Sequence, residues 1–281
     1  MSDPQVFFLA LTGLAVLMCA VLWKWRLYEV PYATGQEWGK LSSMTPLIGF
    51  LLFVGACAWT PGLTIKAIGY ADTHGYSSFS EQETTNFSYL MALIVSSILL
   101  IGFSRIHPDD VRERIWGSGN PIKPFCKGIL YCLLVYPIVM TVVQGVHLAV
   151  DWYGVKPIQE QVALSQLKSL QNYPWLFWSF AVSIVTLVPL VEEFLFRGLV
   201  QNYLVNRVGS VGAIILTSIL FALFHYSALQ GATNIELMVG LFFYSYFIGL
   251  FYMREGSLWT PIAMHALFNA LTIFIMFYII K

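Results

Sequence analysis

Two adjacent carboxylates and a guanidinium stand inside an otherwise apolar part of this sequence. Glu192, Glu193 and Arg197 occur in "LVEEFLFRG", directly after the apolar run "FWSFAVSIVTLVP". An ionisable side chain in a membrane helix costs on the order of 2.5–3.5 kcal/mol, so a functional role is the first hypothesis. Glu193 and Arg197 are four residues apart and can pair on one helix face. Glu192 lies about 100° around the helix and lacks such a partner, so it needs another explanation.

Three further polar side chains lie downstream, again in apolar surroundings. His225 follows Phe221 by four residues in "FALFH", and His265 precedes Asn269 by four residues in "HALFN". Each pair therefore shares a helix face. Taken singly, a histidine at such a position most often makes an interhelical hydrogen bond, and Asn269 alone is typical of helix packing. The combination of Glu, His, His and Asn on three helices favours a common site.

These residue types together could hydrolyse a peptide bond with water as the nucleophile. A carboxylate in a low-dielectric pocket is a competent general base near neutral pH, and a neighbouring histidine could help to hold the water. A second histidine and an amide N–H₂ would present two donors to a developing oxyanion. Neither a G-x-S-x-G nor an H-E-x-x-H motif occurs, so no serine nucleophile is required. Pro189 can kink its helix, which predicts a widened polar cavity near Glu192.

The composition indicates that lipid surrounds most of this chain. Of the 281 residues, 58% are hydrophobic and 11% are charged, whereas soluble domains carry about 25% charged residues. The formal net charge is zero, which argues against a nucleic-acid partner. The four cysteines show no C-x-x-C spacing, so buried thiols are expected rather than disulfides or a metal site. We predict a multi-pass integral membrane protein, in the plasma or inner membrane if the source is prokaryotic.

The hydrophobic pattern predicts an all-α fold of about eight transmembrane helices that form one bundle with a polar intramembrane cavity. A spanning helix needs about 20 apolar residues, and the candidate spans are 6–22, 44–61, 88–104, 128–150, 174–200, 209–226, 235–253 and 257–280. We expect N-terminal helices and an amphipathic cytoplasmic loop in 1–127. A helical core is expected in 128–281, with the motif region at about 175–272.

The distribution of lysine and arginine predicts the orientation of the chain. Cytoplasmic loops of membrane proteins carry an excess of lysine and arginine. Most of the basic residues fall in cytoplasmic loops if the N-terminus lies outside, so we predict this orientation. The segment "PDDVRERIW" in one of these loops is typical of a short amphipathic helix that rests on the membrane through Val111, Ile115 and Trp116. One difficulty remains at this point: His225 would lie about 22 Å along its helix, deeper than His265 lies in its own.

The three motifs resemble those of a known family of membrane proteases. E-E-x-x-x-R in "EEFLFR", F-x-x-x-H in "FALFH" and H-x-x-x-N in "HALFN" follow one another in this order. This pattern resembles the CPBP family, which includes type II CAAX prenyl endopeptidases and bacteriocin-processing proteins of the Abi type. The resemblance covers about residues 175–272, and no motif of the family precedes residue 174.

The resemblance implies a glutamate-dependent intramembrane endopeptidase that uses no cofactor. By motif position, Glu192 would activate water with help from His225. His265 and Asn269 would stabilise the oxyanion. The remaining residues of the first motif would orient and support the site: Glu193 and Arg197.

Three other functions are consistent with the same residues. Two histidines and a glutamate could bind zinc in a membrane protease, or relay protons in a proton-coupled transporter. A non-catalytic membrane scaffold is the third alternative. For the protease, the expected partner is a peptide or protein substrate, with a prenylated CAAX-type C-terminus as one candidate. The aromatic run "LFFYSYFIGLFY", residues 241–252, could line a substrate groove, although such runs more often pack against lipid.

Overall fold

The computed structural model describes residues 4–30, 41–76, 79–154, 162–231 and 233–279, and the predicted all-α fold is confirmed. Helices hold 86% of these residues, and no strand occurs among them. The α-helices are α1 Pro4–Lys24, α2 Met44–Thr73, α3 Glu81–Arg105, α4 Asp109–Trp116, α5 Ile122–Trp152, α6 Val162–Ser169, α7 Pro174–Glu193, α8 Asn202–Phe224, α9 Thr233–Glu255 and α10 Trp259–Phe274. Shorter elements are a π-helix at Phe194–Gln201, a 3₁₀ turn at Ala228–Gln230 and a second π-helix at Ile275–Ile279.

Within the described ranges, seven continuous helical segments are long and apolar enough to span a membrane, and one of them runs over 51 residues, Pro174–Phe224. A straight helix of that length would measure about 77 Å, far more than the roughly 30 Å of a hydrocarbon core. The backbone breaks at Gly209, where φ is +73°. The rings of Phe196 and Phe221, on either side of the break, lie 5.0 Å apart. The segment is therefore a hairpin, and its two limbs are the predicted spans 174–200 and 209–226.

Several helices extend past the ends that were predicted from apolar runs. α2 continues through Pro61 and Lys66 to Thr73, and α5 begins at Ile122 rather than at residue 128. Charged residues end an apolar run without ending a helix, because their side chains can extend along the helix toward polar surroundings. A division of the chain at residue 127 would fall within α5.

α5 packs against α1, α9 and α10. α2 pairs with α3, α3 packs on α7, and the hairpin formed by α7 and α8 packs on α9 and α10. The four cysteine thiols are free; only Cys132 is buried, whereas Cys19, Cys57 and Cys126 are exposed on the bundle, so burial was wrongly expected for three of them. This packing fixes the relative positions of α7, α8 and α10, the helices that carry the predicted site.

The prediction that α4 rests on the membrane through its apolar face is wrong. Ile115 is only 1% exposed and belongs to the protein core. The ring of Trp116 lies 5.8 Å from that of Phe194 and 5.7 Å from that of Trp259. The backbone N–H of Leu258 donates to the Ile115 carbonyl at 3.0 Å. The apolar face of α4 is therefore covered by the turn between α9 and α10 and by the π-helix, because these elements offer it both apolar contacts and hydrogen-bond donors.

The closest approach of α5 to α10 depends on a glycine. A Cβ atom at Gly128 would overlap the carbonyl oxygen of Thr260 and crowd the methyl group of Ala263, whereas a Cβ at Gly69 in α2 would meet nothing within 4 Å. We expect Gly128→Ala to destabilise the protein by about 1–3 kcal/mol, because α10 must shift to make room. Gly69→Ala should be neutral or stabilising by up to about 1 kcal/mol. Unfolding in detergent measures both, and equal stability of the two variants would contradict this packing.

Candidate active site

The first part of the site is an ion pair with no exposure to solvent. Arg197 contacts both carboxylate oxygens of Glu193, at 3.2 Å from Oε1 and 3.0 Å from Oε2, and both side chains are 0% exposed. This is the pairing that the four-residue spacing predicted. A buried pair of this kind is held only when further hydrogen bonds complete it. The second amino group of the guanidinium donates to Ser245, and the Phe221 ring lies 4.8 Å from its central carbon.

The helix changes its type where these residues stand. α7 ends at Glu193, and Phe194–Gln201 form a π-helix with Arg197 in the middle. π-helical turns are rare and occur frequently at functional sites. Pro189 lies inside α7 and supplies no backbone N–H to the turn before it. α7 stays α-helical through Pro189 up to Glu193, and the irregular backbone begins only at Phe194. The kink and the widened cavity expected from Pro189 therefore stay predictions.

The hairpin brings His225 to Glu192. His225 caps the C-terminus of α8, and its Nδ1 lies 2.8 Å from the carbonyl oxygen of Phe221. Because a carbonyl can only accept, Nδ1 carries the hydrogen and the Nε2 lone pair is free. That Nε2 atom lies 3.6 Å from Oε2 of Glu192.

α10 brings the second histidine to the same oxygen atom. Nδ1 of His265 lies 2.8 Å from Oε1 of Glu193, and its Nε2 lies 3.9 Å from Oε2 of Glu192. Because the Glu193 carboxylate accepts, Nδ1 is again the protonated nitrogen. Both histidines therefore present Nε2 to one carboxylate, and the difference in depth that the sequence suggested does not separate them. We call Glu192, Glu193, Arg197, His225 and His265 the carboxylate–histidine cluster.

Around Glu192, hydrogen-bond acceptors of the cluster face one another without a donor. Oε2 of Glu192 is buried and accepts no hydrogen bond from the described residues. It faces two Nε2 atoms, which are acceptors as well when both imidazole rings are neutral. In that state a donor is required among the three. A water molecule supplies two O–H donors and keeps its own lone pairs. The side chains of Glu192 and His225 are 14% and 27% exposed, so a small molecule can reach this position.

Asn269 lies one helical turn beyond His265, but its contact is with α7. Its Nδ2 donates to the backbone carbonyl of Ile184 at 2.8 Å, in the turn before Pro189. The amide group carries a second N–H. Its expected role at an oxyanion stays a prediction, since the observed hydrogen bond is one that ties α10 to α7.

Sequence reasoning missed one residue that contacts the cluster. Ser245 on α9 accepts from Arg197 through both its hydroxyl and its carbonyl oxygen. It lies 48 positions from Arg197 and belongs to none of the three motifs. Phe221 had a signal, because the F-x-x-x-H spacing placed it one turn before His225. For Ser245, the only signal in the sequence is that a small polar residue interrupts an aromatic run.

The comparisons with known proteins agree with the three motifs. Residues 174–271 match the family model described as type II CAAX prenyl endopeptidase Rce1-like, and this range includes all six predicted site residues. No curated protein and no solved structure matches the chain. The matched range begins where α7 begins and ends within α10, so it contains the whole carboxylate–histidine cluster. Residues 174–271 of this multi-pass membrane protein therefore match an Rce1-like domain of type II CAAX prenyl endopeptidases.

Proposed function

We propose that this protein is an intramembrane endopeptidase in which Glu192 activates the attacking water. The observation that carries the proposal is the convergence of Oε2 of Glu192 with Nε2 of His225 and Nε2 of His265, at 3.6 and 3.9 Å. Both Nδ1 atoms already donate elsewhere. None of the three facing atoms therefore has a hydrogen-bond donor among its neighbours in the cluster. A water molecule between them would donate its two O–H groups to two of these atoms and keep a lone pair free for attack.

The first chemical step transfers one proton and forms one bond. The water oxygen attacks the carbonyl carbon of the scissile peptide while Glu192 Oε2 accepts the proton, with His225 holding the water. The carbonyl oxygen becomes the oxyanion of a tetrahedral intermediate. The proton that Glu192 takes from the water can pass to Nε2 of His265, which lies 3.9 Å from Oε2 of Glu192. The ring then donates to the oxyanion, and Glu193 stabilises its positive charge through Nδ1. The second N–H of Asn269 is the other candidate donor.

Collapse of the intermediate completes the hydrolysis. The C–N bond breaks, and the proton taken from water is delivered to the leaving amine nitrogen. The second proton of the water leaves the new carboxyl group and is taken up by the new amine. A carboxylate and an ammonium group are therefore released, and Glu192 returns to its starting state. Arg197 and Glu193 remain paired throughout, so the charge beside His265 stays constant.

The proposed substrates are peptides that are associated with the membrane, with prenylated CAAX-type C-termini as the first class to test. The proposal places the N-terminus outside and the loop with α4 in the cytoplasm, because basic residues concentrate on that side. The lipid bilayer is the constant partner, and no nucleic acid is expected.

The zinc-dependent alternative has one observation in its favour. Zinc-bound histidines usually donate their second ring N–H to a carboxylate or a carbonyl, as His225 and His265 do here. However, in the part of the chain that the structure describes, no group of three or more histidine, cysteine, aspartate or glutamate side chains is arranged to hold a metal ion. We propose the mechanism without a cofactor because the three motifs resemble those of glutamate-dependent proteases, and activity in the presence of a chelator tests this choice.

The test uses detergent-solubilised protein and a quenched fluorescent peptide with a farnesylated C-a-a-X end, beside the same peptide without the lipid. We expect cleavage of an internal peptide bond, with a rate changed by less than about twofold when a strong chelator is present. Activity that is lost with chelator and restored by zinc would contradict the mechanism and favour the zinc protease. Absence of cleavage in both peptides would favour the transporter or the scaffold.

A further inference from the structure

Part of the aromatic run 241–252 on α9 faces the interior of the bundle, although Phe243 is 38% exposed. Tyr244 is 1% exposed and Ser245 is 0% exposed, and the following residues Ile248, Gly249 and Leu250 are buried as well. α9 packs between α5, α8 and α10. The buried residues of the run therefore lie inside the bundle, and Ser245 among them contacts the carboxylate–histidine cluster.

Ser245 holds Arg197 from the side of α9. Nη2 of Arg197 donates to the Ser245 hydroxyl oxygen at 2.6 Å and to its carbonyl oxygen at 3.0 Å. Nη1 donates to Glu193. The guanidinium is thus fixed between α9 and α7, and a charge-assisted hydrogen bond of this kind is stronger than one between neutral groups.

Tyr244, the neighbouring residue, holds α10. Its hydroxyl group donates to the carbonyl oxygen of Met264 at 2.6 Å, and Met264 directly precedes His265. Its ring stacks on that of Phe268, with 4.1 Å between the ring centroids. The two contacts lie on either side of His265 along the chain, so Tyr244 fixes the part of α10 that presents the imidazole.

We propose that Tyr244 and Ser245 are a pair of positioning residues that align the two halves of the carboxylate–histidine cluster from α9. Ser245 orients Arg197, Arg197 orients Glu193, and Glu193 keeps the hydrogen of His265 on Nδ1, so that Nε2 faces Glu192. Tyr244 fixes the position of His265 along α10 relative to the Glu192 carboxylate. This inference rests on the proposed function, because the alignment matters for catalysis only if Glu192 activates water.

The test compares Ser245→Ala with Ser218→Ala. Ser218 is a buried serine whose hydroxyl group donates only to a carbonyl of its own helix, Ile214, so its loss matches the size of the change without touching the cluster. We expect Ser245→Ala to lower kcat about 10- to 100-fold, the effect of losing a charge-assisted hydrogen bond, while KM changes by less than about twofold. Ser218→Ala should keep the activity of the wild type.

Tyr244→Phe is the second variant, because it removes one hydroxyl group and keeps the stacked ring. We expect kcat to fall by about tenfold with KM again little changed. It keeps the inference testable if Ser245→Ala does not fold. Activities of both variants within about twofold of Ser218→Ala would overturn the inference.

A spectroscopic readout separates this inference from the proposed function. ¹⁵N NMR of labelled histidine reports which ring nitrogen carries the hydrogen. We expect Nδ1–H at His265 in the wild type and in Ser218→Ala, and a mixture of tautomers or a shifted Nδ1 signal in Ser245→Ala. If the wild type cleaves no peptide, the proposed function fails, yet this measurement still decides the positioning role. An unchanged His265 spectrum in Ser245→Ala would overturn it.

Discussion

Glu192→Gln should lower kcat by about 10²–10⁴-fold, the usual contribution of a general base, while the protein remains folded. Glutamine has the shape of glutamate but cannot accept the proton of the attacking water. Oε2 of Glu192 accepts no hydrogen bond from the described residues, so the substitution removes no hydrogen bond at that atom. The measurement is the initial rate of peptide cleavage, with thermal unfolding as the check on folding.

The chain offers a matched control for this substitution. Glu236 on α9 also pairs with a histidine, His147 on α5, at 3.0 Å, and it lies outside the carboxylate–histidine cluster. The Glu236→Gln variant should cleave the peptide within about twofold of the wild-type rate. It removes the carboxylate charge from a similar glutamate–histidine pair, but that pair lies outside the site of the attacking water. If the Glu192→Gln variant cleaves as fast as the Glu236→Gln variant, Glu192 is not the general base.

Arg197→Met should destabilise the protein by about 3–5 kcal/mol, because it leaves the Glu193 carboxylate buried without its opposite charge. Both side chains of the pair are 0% exposed, so solvent cannot compensate the remaining charge. The Ser245 oxygens lose their donor in the same step. Chemical unfolding in detergent measures the change, and loss of cleavage should accompany it.

A double variant distinguishes the loss of a charge partner from the loss of packing. Glu193→Gln together with Arg197→Met removes both charges, and it should recover most of the stability that Arg197→Met loses. Arg207→Met is the control for the arginine, since Arg207 is exposed and its replacement should cost less than about 1 kcal/mol. Equal destabilisation in the single and the double variant would show that the charge left on Glu193 is not the cause.

The sequence predicted those parts of the site that depend on spacing within one helix. The four-residue spacing of Glu193 and Arg197 predicted their ion pair, and the pair left Glu192 as the carboxylate without a local cation. The structure agrees with both. The apolar runs likewise predicted the helices of the bundle, because the cost of exposing backbone to lipid leaves the helix as the natural spanning structure.

The parts that depend on contacts between helices could not be predicted in this way. Gly209 reverses the chain with a positive φ, and only this hairpin brings His225 from α8 to Glu192 on α7. Ser245 contacts Arg197 from a third helix, with no motif to mark it. The apolar face of α4 fits a membrane surface as well as a protein surface, and only the packed bundle shows that Ile115 is covered by protein.

The most direct test of the central claim follows the oxygen of the attacking water. Wild-type protein and Glu192→Gln would each be incubated with the farnesylated peptide in heavy-oxygen water with a strong chelator present, for the time that the wild type needs for a single turnover. Mass spectrometry would then identify the products. We predict that the wild type releases one internal cleavage product with a labelled oxygen in its new carboxylate, and that Glu192→Gln releases at most about one hundredth of that amount. Equal amounts of labelled product from both proteins would contradict the claim that Glu192 activates the water.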